Sequence, residues 1–165
     1  MSLSYYPIAI ELYSKQILLL WYTDFKDGIL VDKNNKALIF NSLEEVKNYT
    51  LDNHIKINFD DFSTYNINIL TTWLQNPSSQ SIAYQLFLDL WNLVTDIAYS
   101  CKVKFLGNSK DDLTTLIYDK LFYGNNLPSI TPQGKFYKPI WTKEELNFLV
   151  KVMENVVFII EKICL

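Results

Sequence analysis

The stretch SIAYQLFLDLWNLVTDIAYSCK, residues 81–102, decides the fold. Ile82, Leu86, Phe87, Leu90, Trp91, Val94, Ile97 and Ala98 recur at helical spacing and cover more than one stripe of the helix surface. A helix that is apolar over so much of its circumference must be covered on several sides. It is therefore expected at the centre of the protein. Gln85, Asp89, Asn92, Asp96 and Ser100 leave it one narrow polar stripe. Three readings of Asp89, Asn92 and Asp96 are open, in this order: the helix's wet face, a buried network with loop amides or Tyr and Trp donors, and a metal or acid–base site.

Ahead of this helix the pattern changes to sheet. Ile8, Ile10 and Leu12 alternate with Ala9, Glu11 and Tyr13, and Ile17–Thr23 is a β-rich run. Gly28–Val31 and Lys36–Phe40 flank the polar turn Asp32-Lys33-Asn34-Asn35, which suits a hairpin. Short links of this kind dictate antiparallel pairing. Ser42 and Glu45 form a capping box that opens a short helix to about Asn48. His54–Phe59 alternates as a half-buried strand, with Ile55, Ile57 and Phe59 on one face and His54, Lys56 and Asn58 on the other. Thr64–Gln75 begins as an alternation of Tyr65, Ile67 and Ile69. It continues as a helix through Leu70, Trp73 and Leu74, closing before Pro77.

After the central helix, Ser109 with Asp112 predicts an N-cap, and Gly124 the C′ position of the helix they open. Asn125–Pro139 is a Pro/Gly/Asn loop. Thr142 and Glu145 form a second capping box for a last helix with Leu146, Leu149, Met153, Val156, Ile160 and Ile163 on one face. The expectation is one α+β domain over residues 1–165. Residues 1–60 are mainly strands with one short helix, and 61–165 mainly helices, laid on one face of an N-terminal antiparallel sheet.

Composition narrows the function. The chain contains no arginine, the residue whose planar fork grips phosphate in two-point contacts. Residues 1–83 hold six lysines and nine acids, whereas residues 84–165 hold nine of each. The acidic N-terminal half disfavours nucleic acid and anionic membrane as ligands. Cys101 and Cys164 read as free thiols in apolar helical segments. No secretory leader opens the chain and no apolar run approaches the ~20 residues a bilayer span needs, so a cytoplasmic protein is expected.

Catalytic equipment is not evident. The four glycines are scattered at 28, 107, 124 and 134, so no phosphate cradle is apparent. His54 stands alone, without the ligand spacing of a zinc site, and reads as a solvated strand residue. No cofactor or metal is expected. Glu44-Glu45 and Asp111-Asp112 read as helix-start acids. Asp60-Asp61, with Asp24, Asp27, Asp32 and Asp52, could build an acidic face at one end of the sheet. The face reads first as a solvated rim and second as a surface for a basic partner.

Residues 90–141 carry a more specific pattern. Leu90-Trp91-Asn92-Leu93 continues through Asp96-Ile97-Ala98 to Ser100, and Tyr118-Asp119-Lys120-Leu121-Phe122-Tyr123-Gly124-Asn125-Asn126-Leu127-Pro128 follows. Thr131-Pro132 with Gly134, and Tyr137, Pro139 and Trp141, complete it. The pattern resembles a family of small bacterial immunity proteins from polymorphic-toxin systems, nearest to those of contact-dependent growth inhibition. The rest of the chain matches only in layout. The resemblance implies a protein without catalytic residues that binds a cognate toxin domain and blocks its active site or its access to substrate. Trp91, Asn92, Asp96, Tyr118, Gly124, Asn125, Asn126, Pro128 and Trp141 are then expected to fix a helix–loop–helix framework. For a nuclease toxin with a basic cleft, Asp24, Asp27, Asp60 and Asp61 are the expected toxin contacts, with Tyr5, Tyr6 or Tyr22 as aromatic anchors. The alternative is a small-molecule-binding or regulatory domain with a pocket between the sheet and the central helix. The oligomeric state does not follow from the sequence.

Overall fold

The computed structural model describes residues 3–164, the last of them by its backbone alone, so the expectation for the Cys164 thiol lies outside the described residues. The chain is α+β. Strands β1 (Tyr5–Leu12), β2 (Lys15–Tyr22) and β3 (Gly28–Ile29) come first, followed by helix α1 (Leu43–Asp52). Strand β4 (Ser63–Asn66) then runs directly into α2 (Ile67–Gln75), and α3 (Tyr84–Cys101), α4 (Asp112–Gly124) and α5 (Lys143–Cys164) complete the fold. Single 3₁₀ turns at Ser79–Ser81 and Leu106–Asn108 flank α3.

The sheet order is β3-β2-β1-β4. The first three strands pair antiparallel, as their short links require, with Tyr5 opposite Tyr22 and Leu12 opposite Lys15. The fourth does not: β4 pairs parallel to β1, Ile10 opposite Tyr65, so the sheet is mixed rather than antiparallel. The connection from β1 to β4 runs through two strands and a helix. That is long enough for the crossover a parallel pair needs. The ambiguous segment 64–75 is thus both things, a short strand and then a helix N-capped by Asn66.

Helices do not cover one face only. Ile8, Ile10, Leu12, Ile17, Leu19 and Ile29 pack against α2, α3 and α5 in the main core. Ala9, Leu18 and Leu20 on the opposite face pack against Phe40 and Val46, with Leu38, Tyr49 and Ile57 around them. The run Ile17–Leu20 is buried throughout. Such a continuous apolar run is what a strand covered on both sides looks like. Phe87, Leu90, Val94 and Ile97 of α3 are fully buried, in the central place its apolar circumference demands.

Three local expectations are corrected. Residues 54–59 do not form a strand. One parallel bridge joins Ile57 to Tyr5, and Phe59 is exposed. The helix before them runs on to Asp52, and His54 leaves it with φ 53°, so the alternation has no extended start. The hairpin at 28–40 shrinks to Gly28–Ile29 plus isolated bridges, Val31 to Ala37 and Leu18 to Phe40. Its turn is closed by Asp32, whose carboxylate accepts the amides of Asn34 and Lys36 at 2.8 and 2.9 Å. The N-cap of α4 is Asp111, which accepts from the amide of Thr114 at 2.8 Å. Ser109 instead donates its hydroxyl to Asp111, and that bond with the Thr114 donors holds the Asp111 carboxyl down to about 2.

Candidate functional site

Strand register places the site. Tyr6 and Trp21 are cross-strand partners on the helix-facing side of the sheet, their rings 5.8 Å apart, and Trp21 also pairs with Ile29. Tyr65, opposite Ile10, adds a third aromatic side chain on the same side. Across from them α3 presents Asp89, Asn92 and Asp96, which fall on one stripe because they are three and four residues apart. The gap is a cleft of about 320 Å³ lined by Trp21, Asp27, Tyr65, Asp89, Asn92, Leu93, Thr95 and Asp96. An adjoining cleft of about 410 Å³, lined by Tyr6, Ile8, Trp21, Thr23, Asp61, Ser63 and Tyr65, shares its Trp21 and Tyr65 walls.

The cleft is acidic and its acids are half-satisfied. The indole N–H of Trp21 donates to Asp96 Oδ2 at 2.9 Å, the amide of Gln85 donates to Asp89 at 2.8 Å, and the Tyr118 hydroxyl donates to Asn92 Oδ1 at 2.9 Å. Burial raises the pKa of Asp96, with the negative charge of Asp27 adding to the rise, against the Trp21 bond and Lys26. Burial likewise raises Asp89, against its Gln85 bond. Tyr65 is raised by burial and then by the charges of Asp89 and Asp96. Among the described residues none of the carboxylates of Asp27, Asp61, Asp89 and Asp96 has an ion-pair partner. Such a surface favours a ligand that brings positive charge and hydrogen-bond donors.

Two carboxylates with raised pKa values in a cleft are also the raw material of acid–base chemistry. Here they lie seven residues apart on one helix, about 10 Å along its axis, each bonded to a neutral donor. His54 and Cys101 are not nearby reinforcements. His54 is exposed in a separate hollow with Lys47 and Lys56, and the half-buried Cys101 thiol is pushed up by burial. Among the described residues no cluster of three or more His, Cys, Asp or Glu side chains could hold a metal ion.

The expected contacts divide. Asp27 and Asp61 line the two clefts, and Asp27 accepts the Thr23 hydroxyl at 2.7 Å. Asp24 and Asp60 are exposed but line neither. Asp32 closes its turn, and Asp52 ends α1. The tyrosines expected as free anchors are half-buried, Tyr5 edge-on to Tyr22 and Tyr6 against Trp21. The fully exposed aromatic is Phe25, in the loop between Asp24 and Asp27. Its signal was an apolar residue alone among charges in a loop. Trp21 was missed because its β-rich run carries no polar signal, and Tyr65 because its segment is ambiguous between strand and helix.

The motif residues form a framework around α4 and the loop after it. Trp91 is buried edge-on to Phe105 and Tyr118. Gly124 is the last helical residue rather than C′: a Cβ there would stand 2.6 Å from the Tyr84 ring, so close approach is what requires glycine. Asn126 takes the left-handed position, φ 50°, and its side chain accepts from the Tyr137 amide at 2.7 Å and donates to the Tyr137 carbonyl at 2.8 Å. Asn125 donates to the Leu121 carbonyl. Pro128 follows Leu127 in a turn closed by the Ile130 amide, a position where its missing N–H costs nothing. Trp141 donates its indole N–H to the Tyr84 hydroxyl at 2.9 Å. Asn92 and Asp96 belong to this pattern and to the cleft as well.

No family model matches the sequence, and no curated protein or solved structure matches it either.

Proposed function

We propose that this chain is an immunity protein. It binds a cognate toxin domain in the cytoplasm and neutralises it by blocking the active site or the path of the substrate, without chemistry of its own. The observation that carries the reading is the acidic, aromatic-walled cleft. Asp27, Asp61, Asp89 and Asp96 surround Trp21 and Tyr65, and among the described residues no lysine forms a salt bridge with them. A nuclease domain with a basic, phosphate-binding cleft is the partner such a surface complements. The carboxylates stand where phosphates would, and the aromatics supply rigid contact area. The resemblance of residues 90–141 to immunity proteins supports the same reading. The test is co-expression with the toxin domain encoded beside this chain, followed by an affinity titration at two salt concentrations. Tight, salt-sensitive binding that suppresses toxicity is expected. Absence of binding sinks the proposal.

The cleft volume of about 320 Å³ favours one second reading, a small-molecule site between sheet and central helix. A rise in melting temperature with a cationic ligand, and no protein partner, would select it.

A further inference from the structure

The far end of α3 has the opposite character. Asp96 meets Trp21 near one end of this helix, while Tyr84 at the other end bonds Trp141. The two points are twelve residues apart, about 18 Å along the axis. Between Asp119 and Glu144 the sequence holds four lysines and no acid; Lys120 is paired with Glu145, which leaves Lys135, Lys138 and Lys143. Within it Phe136 is 79% and Ile140 84% exposed, flanked by the exposed Lys135, Lys138 and Lys143. This segment is held in place. Asn126 clamps both backbone groups of Tyr137, Pro139 is buried, and Lys120 donates to the carbonyl of Ile140. The fold therefore fixes two large apolar side chains in solvent beside three exposed lysines, against the general tendency to bury them.

The neighbouring hollow between α4 and α5 is lined by Leu113, Lys143, Glu144, Asn147, Phe148 and Lys151, so its charge is mixed where that of the Phe136–Ile140 segment is not. We infer that the Phe136–Ile140 prong docks on an anionic phospholipid surface. Phe136 and Ile140 enter the boundary of the acyl region, Tyr137 lies at headgroup depth, and Lys135, Lys138 and Lys143 meet the phosphates. The acidic balance of the N-terminal half, which disfavours an anionic membrane as its ligand, does not extend to this pole. The inference is independent of the immunity reading, because it concerns a different surface.

Flotation of the full chain with vesicles of phosphatidylglycerol and phosphatidylcholine tests it, with phosphatidylcholine vesicles as the neutral control. Co-flotation with the anionic vesicles at low salt is expected, and none with the neutral ones. F136S/I140S should abolish it, and K135Q/K138Q should weaken it about thirtyfold. Both variants alter exposed side chains, so an unchanged melting temperature shows that they are folded. Failure to float with anionic vesicles, or flotation that survives F136S/I140S, overturns the proposal. Capture on immobilised polyglutamate without vesicle binding overturns it too, and assigns the surface to an acidic protein.

Discussion

The cleft beside α3 and the junction of α4 with α5 use the same kinds of groups to opposite ends. At the junction, Glu145 is satisfied several times over. It accepts the Thr142 amide at 2.9 Å and the Lys120 ammonium, while its own amide donates to Thr142 Oγ1. Its pKa is lowered, first by the Lys120 bond. In the cleft, Asp89 and Asp96 have one neutral donor each, and burial raises their pKa values. A carboxylate matched by a cation holds a structure together. One that is half-buried and unmatched costs stability, and in the proposed function it is what the partner would meet.

Removing the cation at the junction should have the largest effect. Lys120→Met leaves Glu145 nearly buried without its partner, and a loss of about 3 kcal/mol is expected by denaturant titration. A neutral result would mean that the junction is no more framework than the cleft. Gly124→Ala drives a methyl into the Tyr84 ring and should cost about 1–3 kcal/mol, visible as a lower melting temperature.

The cleft should respond with the other sign. Asp96→Asn keeps an oxygen for the Trp21 indole but removes the charge, and should raise stability at neutral pH by roughly a few tenths of a kcal/mol after solvent screening. The same variant should weaken partner binding. A destabilised Asp96→Asn protein would place Asp96 in the framework instead.

Acid titration sharpens the contrast. Glu145 and Asp111 have lowered folded pKa values, so their contributions are full above the unfolded values of 4.5 and 3.8 and fade as pH falls through the folded ones, about 2 for Asp111. Asp89 and Asp96 are raised, so theirs is present below the unfolded value of 3.8 and is lost as pH rises through the folded values. Asp111→Asn should therefore flatten the acid limb of the stability curve, and Asp96→Asn should steepen it.

The smallest effects on stability and the most specific on function belong to Asp27→Asn/Asp61→Asn. Their melting temperature should stay unchanged while association with the proposed toxin partner slows and loses salt dependence. Asp24→Asn/Asp60→Asn, outside both clefts, should slow it less. Equal effects from the two pairs would spread the contact over the whole rim.

What could be read without coordinates follows from local chemistry. The apolar circumference of residues 81–102, the capping boxes at Ser42 and Thr142 and the short strand links are set by neighbours in sequence, and they placed the helices, the antiparallel pairs and the α+β class. The alternation at 54–59 misled because a nearby helix end, with His54 at φ 53°, overrode it. Gly124 was recognised as special, but the reason is the Tyr84 ring, forty residues away. The acids at Asp27 and Asp61 were visible as acids. Their meeting with Asp89 and Asp96 around Trp21 and Tyr65 was not, because it depends on β4 returning parallel to β1 and on the face α3 turns to the sheet. Periodicity and capping act over three or four residues and are written in the chain. Which charges are left half-buried and unmatched depends on packing between distant elements, and the tertiary structure alone decides it.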